Sequence, residues 1–280
     1  MAEITAAMVK ELRDETQLPM MDCKKALAEA GGDKEAAKQA LREKGLKLME
    51  GRRDRVTEEG RIAVFCGVDQ SAGAIIELQV ESAPVAGNPE VVALANDLAK
   101  QLATGPGAAT ADALWEQPSP TAAGKKLKEI KDDLENRIRE VFKLARIARV
   151  EGPCGGYVHF DGKSGVLLSV EGGTNDLAKD ISMHVAAMKP TATSTDELDA
   201  DEVARERAIL VEAAKNEGKP DNIIEKMVDG RMKNYYAEKV LSEQAFVKDD
   251  KQTVGAIAKA GGMKLKGFTS WRLGETSVAS

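Results

Sequence analysis

V-K-E-L-R-D-E-T-Q-L-P-M-M-D-C-K-K-A-L, running from Val9 to Leu27, decides how the chain begins. A helix ends near Thr16, because Leu18-Pro19 breaks it: proline has no N–H and its ring clashes with the preceding turn. Asp22 is placed to cap a second helix, Cys23 to Ala30, by accepting from its free amides. Gly31-Gly32 closes that helix, Asp33 caps a third and Gly45 ends it. Three short helices in about 45 residues make a core that is marginal alone, so the module is expected to dock onto something.

Composition narrows the function. The 280 residues allow about two domains. Charged residues are 31% and aromatics 4%, which suits a helix-rich soluble chain better than an aromatic-cored sandwich. The net charge of −6 argues against a nucleic-acid binder, which shows a basic stripe. Cys23, Cys66 and Cys154 are odd in number and lack C-x-x-C spacing, so they read as reduced thiols of a cytoplasmic protein, with neither a disulfide frame nor a zinc site. The start M-A-E-I-T-A-A-M has no basic and apolar leader pattern. No apolar run approaches the ~20 residues that span a bilayer, so no membrane partner is expected.

Lys47 to Arg55 is charged and reads as a linker or frayed helix end, with Arg52, Arg53 and Arg55 as a solvated or weakly basic patch. From Arg61 the period becomes two. Ile62, Val64, Cys66 and Val68 share a face, D-Q-S-A-G turns, and Ala74 to Val80 returns. Val91, Leu94, Ala95, Leu98 and Leu102 mark a helix that T-G-P-G-A-A-T ends. A short helix near Trp115 and a Pro-Ser-Pro break follow. A long helix is then expected from about Thr121 to Ala148, burying Leu127, Ile130, Leu134, Ile138, Val141 and Leu144.

The pattern recurs. Tyr157 to Phe160 and Val166 to Val170 form a hairpin about D-G-K-S-G, followed by a helix from Leu177 to Met188. L-A-N-D-L-A-K-Q-L-A from Leu94 aligns with L-A-K-D-I-S-M-H-V-A from Leu177, which implies two related hairpin-plus-helix subdomains. The N-D-L-A-K strings at Asn96 and Asn175 fall outside that register. Asp199 or Asp201 caps a helix to about Asn216, G-K-P turns, and Asp221 caps a second helix through about Leu241. The apolar positions are Val203, Ile209, Leu210 and Ala213 on one arm and Ile223, Met227, Val228, Met232 and Tyr235 on the other. These narrow faces suit a protruding antiparallel coiled coil, either a plain helix pair or a docking arm. A Thr253-capped helix and a strand from Met263 to Leu273 close the chain.

The fold class is therefore α+β: a three-helix N-terminal module over residues 1–46, a linker over 47–60, a first α+β subdomain over 61–150, and a second over 151–280 that includes the helical hairpin 199–241.

M-M-D-C-K-K-A-L also resembles the N-terminal signature of the elongation factor Ts family. A-R-V-E-G from Ala148, M-H-V-A-A-M-K-P from Met183, E-G-K-P from Glu217 and I-I-E-K-M-V-D-G-R-M-K from Ile223 resemble that family in the same order and spacing. The resemblance implies a UBA-like N-terminal module and a protein partner, elongation factor Tu, the translational GTPase. It also implies the activity: guanine-nucleotide exchange, in which GDP release is promoted by stabilising the nucleotide-free state. Such a factor holds one conformation of its partner more tightly. Nucleotide then weakens the factor by the ratio the factor weakens nucleotide, a coupling of about 1–3 kcal/mol or more. No enzyme chemistry, cofactor, metal or small-molecule substrate is implied. G-x-x-x-x-G-K-[ST], H-E-x-x-H and G-x-S-x-G do not occur, and G-G-D-K and G-K-S-G lack phosphate-loop spacing.

By resemblance, the partner-binding residues fall in four places. The segment that the family ties to Mg²⁺ displacement, usually Thr-Asp-Phe-Val, reads Ser82-Ala83-Pro84-Val85, without the acid and the ring. A ring lost from an interface hot spot is typically worth ~2 kcal/mol or more. A second strip, usually Ile-Gly-Glu-Asn, reads Ile138-Arg139-Glu140-Val141, with Arg139 where a glycine permits close approach. Met20 and Met21 suit either an adaptable docking surface or core packing; Lys24, with Lys25, either steers toward an acidic helix or is simply solvated. His184 lies on a helix near the family's contact zone, or is a hydrogen-bonded internal histidine. The tail after Leu273 reads as shortened relative to the family. The departure at Ala83-Pro84 raises an alternative: a diverged binding paralogue that holds elongation factor Tu or another GTPase without accelerating exchange. An enzyme built on Glu140 and a second carboxylate is disfavoured by the missing motifs.

Overall fold

The computed structural model describes residues 4–218 and 220–275, with the side chains of Asp221 and Asn222 left aside. Lys219 of the G-K-P turn and the whole T-S-V-A-S tail lie outside the described residues.

Helix α1 (Ala6–Thr16) starts under the Thr5 hydroxyl, which accepts from Met8 N–H, and stops at Gln17 in the left-handed region. Leu18-Pro19 breaks the chain as expected, but α2 (Met20–Glu29) starts three residues early, with Pro19 in the N-cap position. Proline's fixed φ and missing N–H suit a helix start, so the chain turns helical at once. Asp22 is consequently inside the first turn and caps nothing; its carboxylate faces Lys44 and Arg139. Asp33 caps α3 (Lys34–Glu50), accepting from Ala36 N–H. This helix runs past Gly45, which does not end it. Gly45 is buried where α3 crosses a later helix, and a Cβ there would lie 2.2 Å from Asn136 Oδ1. Val9, Leu12, Leu18, Cys23, Leu27 and Leu41 form the core of the three helices.

β1 (Glu59–Phe65) and β2 (Ala72–Val80) form the first hairpin, and β3 (Lys143–Glu151) pairs with the other edge of β2 in an antiparallel sheet. Between them lie α4 (Ala83–Ala86), α5 (Pro89–Thr104), α6 (Ala111–Trp115) and α7 (Leu127–Ile138). The long helix expected from Thr121 to Ala148 is thus a helix and a strand. β2 is buried along nearly its whole length, and its free N–H and C=O groups need a neighbour on each side. That demand overrides the helical spacing of Val141 and Leu144. The switch falls at Arg139, whose φ of +69° closes α7.

The second unit repeats the plan. β4 (Cys154–Val158) and β5 (Ser164–Gly172) form a hairpin and α8 (Asn175–Met188) follows. The chain continues through α9 (Ala200–Asn216), α10 (Asp221–Lys239), β6 (Ala245–Phe246), β7 (Asp249–Thr253) and α11 (Val254–Ala260), and β8 (Met263–Arg272) returns to the far edge of β5. α5 packs Leu94, Leu98 and Leu102 on Ile76 and Leu78. α8 packs Ile181 and Val185 on Val166 and Leu168. The other faces of the two sheets meet through Ile62, Ile75, Cys154 and Leu167, giving a helix–sheet–sheet–helix stack.

α9 and α10 lie antiparallel, with Asp199 capping the first through Asp201 N–H. α10 starts with Pro220, not Asp221, in the N-cap position. Ala214, Ile224, Val228 and Met232 form the seam, whereas the expected Ile209 and Ile223 are exposed. The sequence assignment placed Val228 and Met232 correctly but took Ile223 for Ile224: Ile224, Val228 and Met232 recur every four residues and share a stripe that Ile223 leaves.

Close approach between α8 and β4 depends on Gly155, where a Cβ would lie 2.4 Å from Ala178 Cβ and 3.0 Å from the Ala178 backbone. Gly155→Ala overpacks a site bounded by backbone and is expected to lower stability by about 1–3 kcal/mol, read as a shift in the urea midpoint at unchanged slope.

Candidate partner-docking surface

Three of the four stretches singled out in the sequence come together. At the end of β2, Glu81 and Ser82 lead into the single turn of α4; at the end of α7, Arg139 and Glu140 lead into β3. The two corners exchange carboxylates. Glu140 Oε1 accepts from Ser82 Oγ at 2.6 Å and Oε2 from Ser82 N–H at 3.1 Å. In return, Glu81 Oε1 accepts from Val141 N–H at 2.9 Å and Oε2 from Arg55 at 2.9 Å. Partial burial works against ionisation of Glu81, but the Val141 amide and the Arg55 guanidinium outweigh it and hold the carboxyl below its usual range. This brace spans some 60 positions of sequence and sets the path of residues 82–86.

Within that segment Ala83 and Pro84 are exposed, Val85 is half-buried against the first core, and Ala86 is buried. The Ala86 carbonyl accepts from Arg61 Nη1 at 3.0 Å. Ile138 is half-buried against the same core.

Arg139 carries the connection to the N-terminal helices. Its N–H donates to Glu135 O at 2.8 Å, its carbonyl accepts from Arg52 Nη1 at 2.7 Å, and its guanidinium pairs with Asp22 at 3.2 Å. Lys44, and then Arg139, hold the Asp22 carboxyl below its usual range. Met20, Met21 and Lys24 lie on α2 around Asp22; Met20 is 52% and Met21 73% exposed. Both methionines are therefore outside the core, the reading that sequence alone left open. Glu135, one turn before Arg139, is buried; desolvation raises its pKa although Lys131 and the Phe142 N–H favour its charge.

His184 stands apart. It is fully buried in the second unit, so its ring does not belong to the surface formed by the other three stretches. Its Nδ1 accepts from Val247 N–H at 3.2 Å, which leaves Nε2 as the donor to Gln244 Oε1 at 2.9 Å. Gln244 in turn donates to Glu238 O, so this neutral histidine ties α8 to the root of the helix pair.

Sequence reasoning missed Asp22 as a tie, Arg52, Arg55 and Glu81. They act through backbone atoms or partners far along the chain, and no local spacing marks them. Among the described residues there is no cluster of three or more His, Cys, Asp or Glu side chains able to hold a metal, and no helix long and apolar enough to cross a membrane.

The sequence of this chain matches relatives of known name. The family model described as Elongation factor TS covers residues 81–275, which makes the class of this protein a translation elongation factor. Elongation factor Ts of Azoarcus sp. (strain BH72) is 40% identical over 277 residues, covering 98% of this chain and 92% of the relative. That of Hyphomonas neptunium is 41% identical over 288 residues (98% and 93%), and that of Hydrogenobaculum sp. 38% identical over 275 residues (97% and 99%). The chain belongs to the elongation factor Ts family.

Burial depresses the His184 pKa below 6.5 even though the Gln244 contact favours its charge. The unfolded chain therefore binds the extra proton first. The contribution of this site is complete above about pH 6.5 and is lost as pH falls through the lower folded value. Melting temperature measured between pH 7.5 and 5 is expected to fall in the wild type and to fall less steeply in His184→Gln.

Proposed function

We propose that this protein is a guanine-nucleotide exchange factor for elongation factor Tu, promoting GDP release by stabilising the nucleotide-free state. The observation that carries the reading is the convergence of Met20, Met21 and Lys24, of Ser82 to Val85, and of Ile138 to Glu140 into one linked surface. These stretches, which the resemblance assigns to partner contact, are thus linked at one corner of the molecule, as a single docking surface requires. The exposed methionines supply an adaptable apolar contact, and Lys24 a charge for an acidic partner helix. The factor works by differential binding, with no covalent step: it grips an emptied GTPase more tightly than a loaded one, and GDP is expelled in the same proportion. The reading includes a cytoplasmic location, a UBA-like N-terminal module, and a helix pair acting as a coiled-coil arm. His184 contributes from inside, by fixing the root of that arm.

A second reading has its own observation. The exposed Ala83 and Pro84 stand where the family pattern has an acid and an aromatic ring, so the segment lacks the side chains expected to enter the GTPase. A paralogue that binds elongation factor Tu without accelerating exchange would look this way.

Release of labelled GDP from cognate elongation factor Tu, timed with and without this protein, separates the two. Exchange activity is expected to accelerate release at substoichiometric factor. Binding without acceleration overturns the exchange reading in favour of the paralogue, and absence of binding overturns both. Ala83→Asp combined with Pro84→Phe is expected to raise the release rate further; no change would mean that other contacts carry that role.

A further inference from the structure

The two residues that join the three stretches differ in kind. Glu140 braces Ser82, as the preceding description requires. Arg139 sits at φ +69°, in a region where glycine is at ease and a side chain is not. Its N–H closes α7 and its carbonyl holds Arg52. A glycine would make both bonds. Only the guanidinium is particular to arginine, and the guanidinium is on Asp22.

That partner matters for where α2 sits. The N-terminal helices also meet the body through the Gly45–Asn136 crossing and an exposed Arg42–Glu129 pair at 3.5 Å, both made by α3. Among the hydrogen bonds and ion pairs of the described residues, Asp22–Arg139 is the one that joins α2 to the body. Asp22 lies between Met21 and Lys24, and Arg139 is followed by the residue that braces Ser82.

We infer that Arg139 is a positioning residue: its guanidinium latches α2, and with it the Met20–Met21–Lys24 face, at a fixed setting relative to the Ser82–Val85 stretch. This rests on reading those stretches as the docking surface for elongation factor Tu. A partner then meets two contact areas already in register, and the cost of ordering them on binding falls. Loss of the latch acts on affinity, through the register of the two contact areas.

Arg139→Gly tests this, because it deletes the guanidinium, keeps both backbone bonds and relaxes the left-handed turn. Melting temperature is expected to equal or exceed that of the wild type. The Kd for nucleotide-free elongation factor Tu is expected to rise about three- to fivefold, the size of one partly exposed ion pair. Arg139→Lys should recover part of the affinity. In the free protein, dyes on Glu29→Cys and Lys100→Cys should report a broader distance distribution when Arg139→Gly is added. That measurement needs no partner. If the wild-type chain does not bind elongation factor Tu, the docking reading fails, and the distances alone decide the latch. A distance distribution identical to that of the wild type overturns the inference. So does an unchanged Kd where the wild type binds, and so does a lowered melting temperature, which would assign Arg139 to stability.

Discussion

At Arg139 the backbone enters the left-handed region, and much of the molecule follows from that corner. Without it α7 would run on, and β2 would lack the neighbour it needs along one edge. A non-glycine residue there costs about 1 kcal/mol or more in backbone energy. The corner persists because its surroundings over-determine it: Glu135 O, Arg52 and Asp22 hold the three polar groups of Arg139, and the next residue clasps Ser82. The same turn thus ends a helix, starts a strand and brings distant segments together. Local strain is maintained by nonlocal contacts, the usual arrangement where a segment has a task beyond stability.

The body depends on a second constraint, the face-to-face contact of two sheets. Ile62, Ile75, Cys154 and Leu167 give that contact its apolar part. Its polar part is a buried carboxylate, Glu77, which accepts from Arg146 Nε at 2.7 Å and also from Gln79 and Gly274 N–H. Arg146 stacks on Trp271 of β8, 4.6 Å from the ring centroid, so one side chain of the first sheet touches the last strand of the second. An ion pair of this kind adds little net stability over an apolar pair of the same shape, but losing one partner leaves a buried charge uncompensated.

Elements whose signals are local were legible in the sequence. The Leu18-Pro19 break, the Asp33 and Thr253 caps, the second strand of each hairpin and the helices around Leu98 and Ile181 stand where periodicity and capping placed them. The first strands do not, since β1 stops at Phe65, before Cys66 and Val68, and β4 runs from Cys154 to Val158 and leaves out Phe160. Most of the misreadings share a cause. Gly45 was taken as a helix end, whereas its missing side chain serves the crossing with Asn136. Asp22 was taken as a cap, whereas its partners are on α3 and beyond α7. Lys143 to Ala148 was taken as helix, whereas the open edge of β2 made it part of a strand. Gly45 and the stretch from Lys143 to Ala148 were decided by a partner far along the chain; Asp22 was displaced locally, by Pro19 starting the helix, and then found its distant partners. The same holds for the surface: its residues could be named from motifs, but the carboxylate exchange between Glu81, Ser82, Glu140 and Val141 leaves no trace in local spacing.

The late position of β8 has a consequence for how the chain is made. The first sheet is complete once Glu151 has been synthesised, whereas β5 waits for a strand that ends at Arg272, after the whole helix pair and the short hairpin have emerged. Until then one side of β5 presents open backbone groups, a template for pairing with a neighbouring nascent chain. A ribosome producing this protein thus carries a half-closed sheet for more than a third of the message, and the yield of native molecules depends on keeping that edge unpaired until its own last strand arrives.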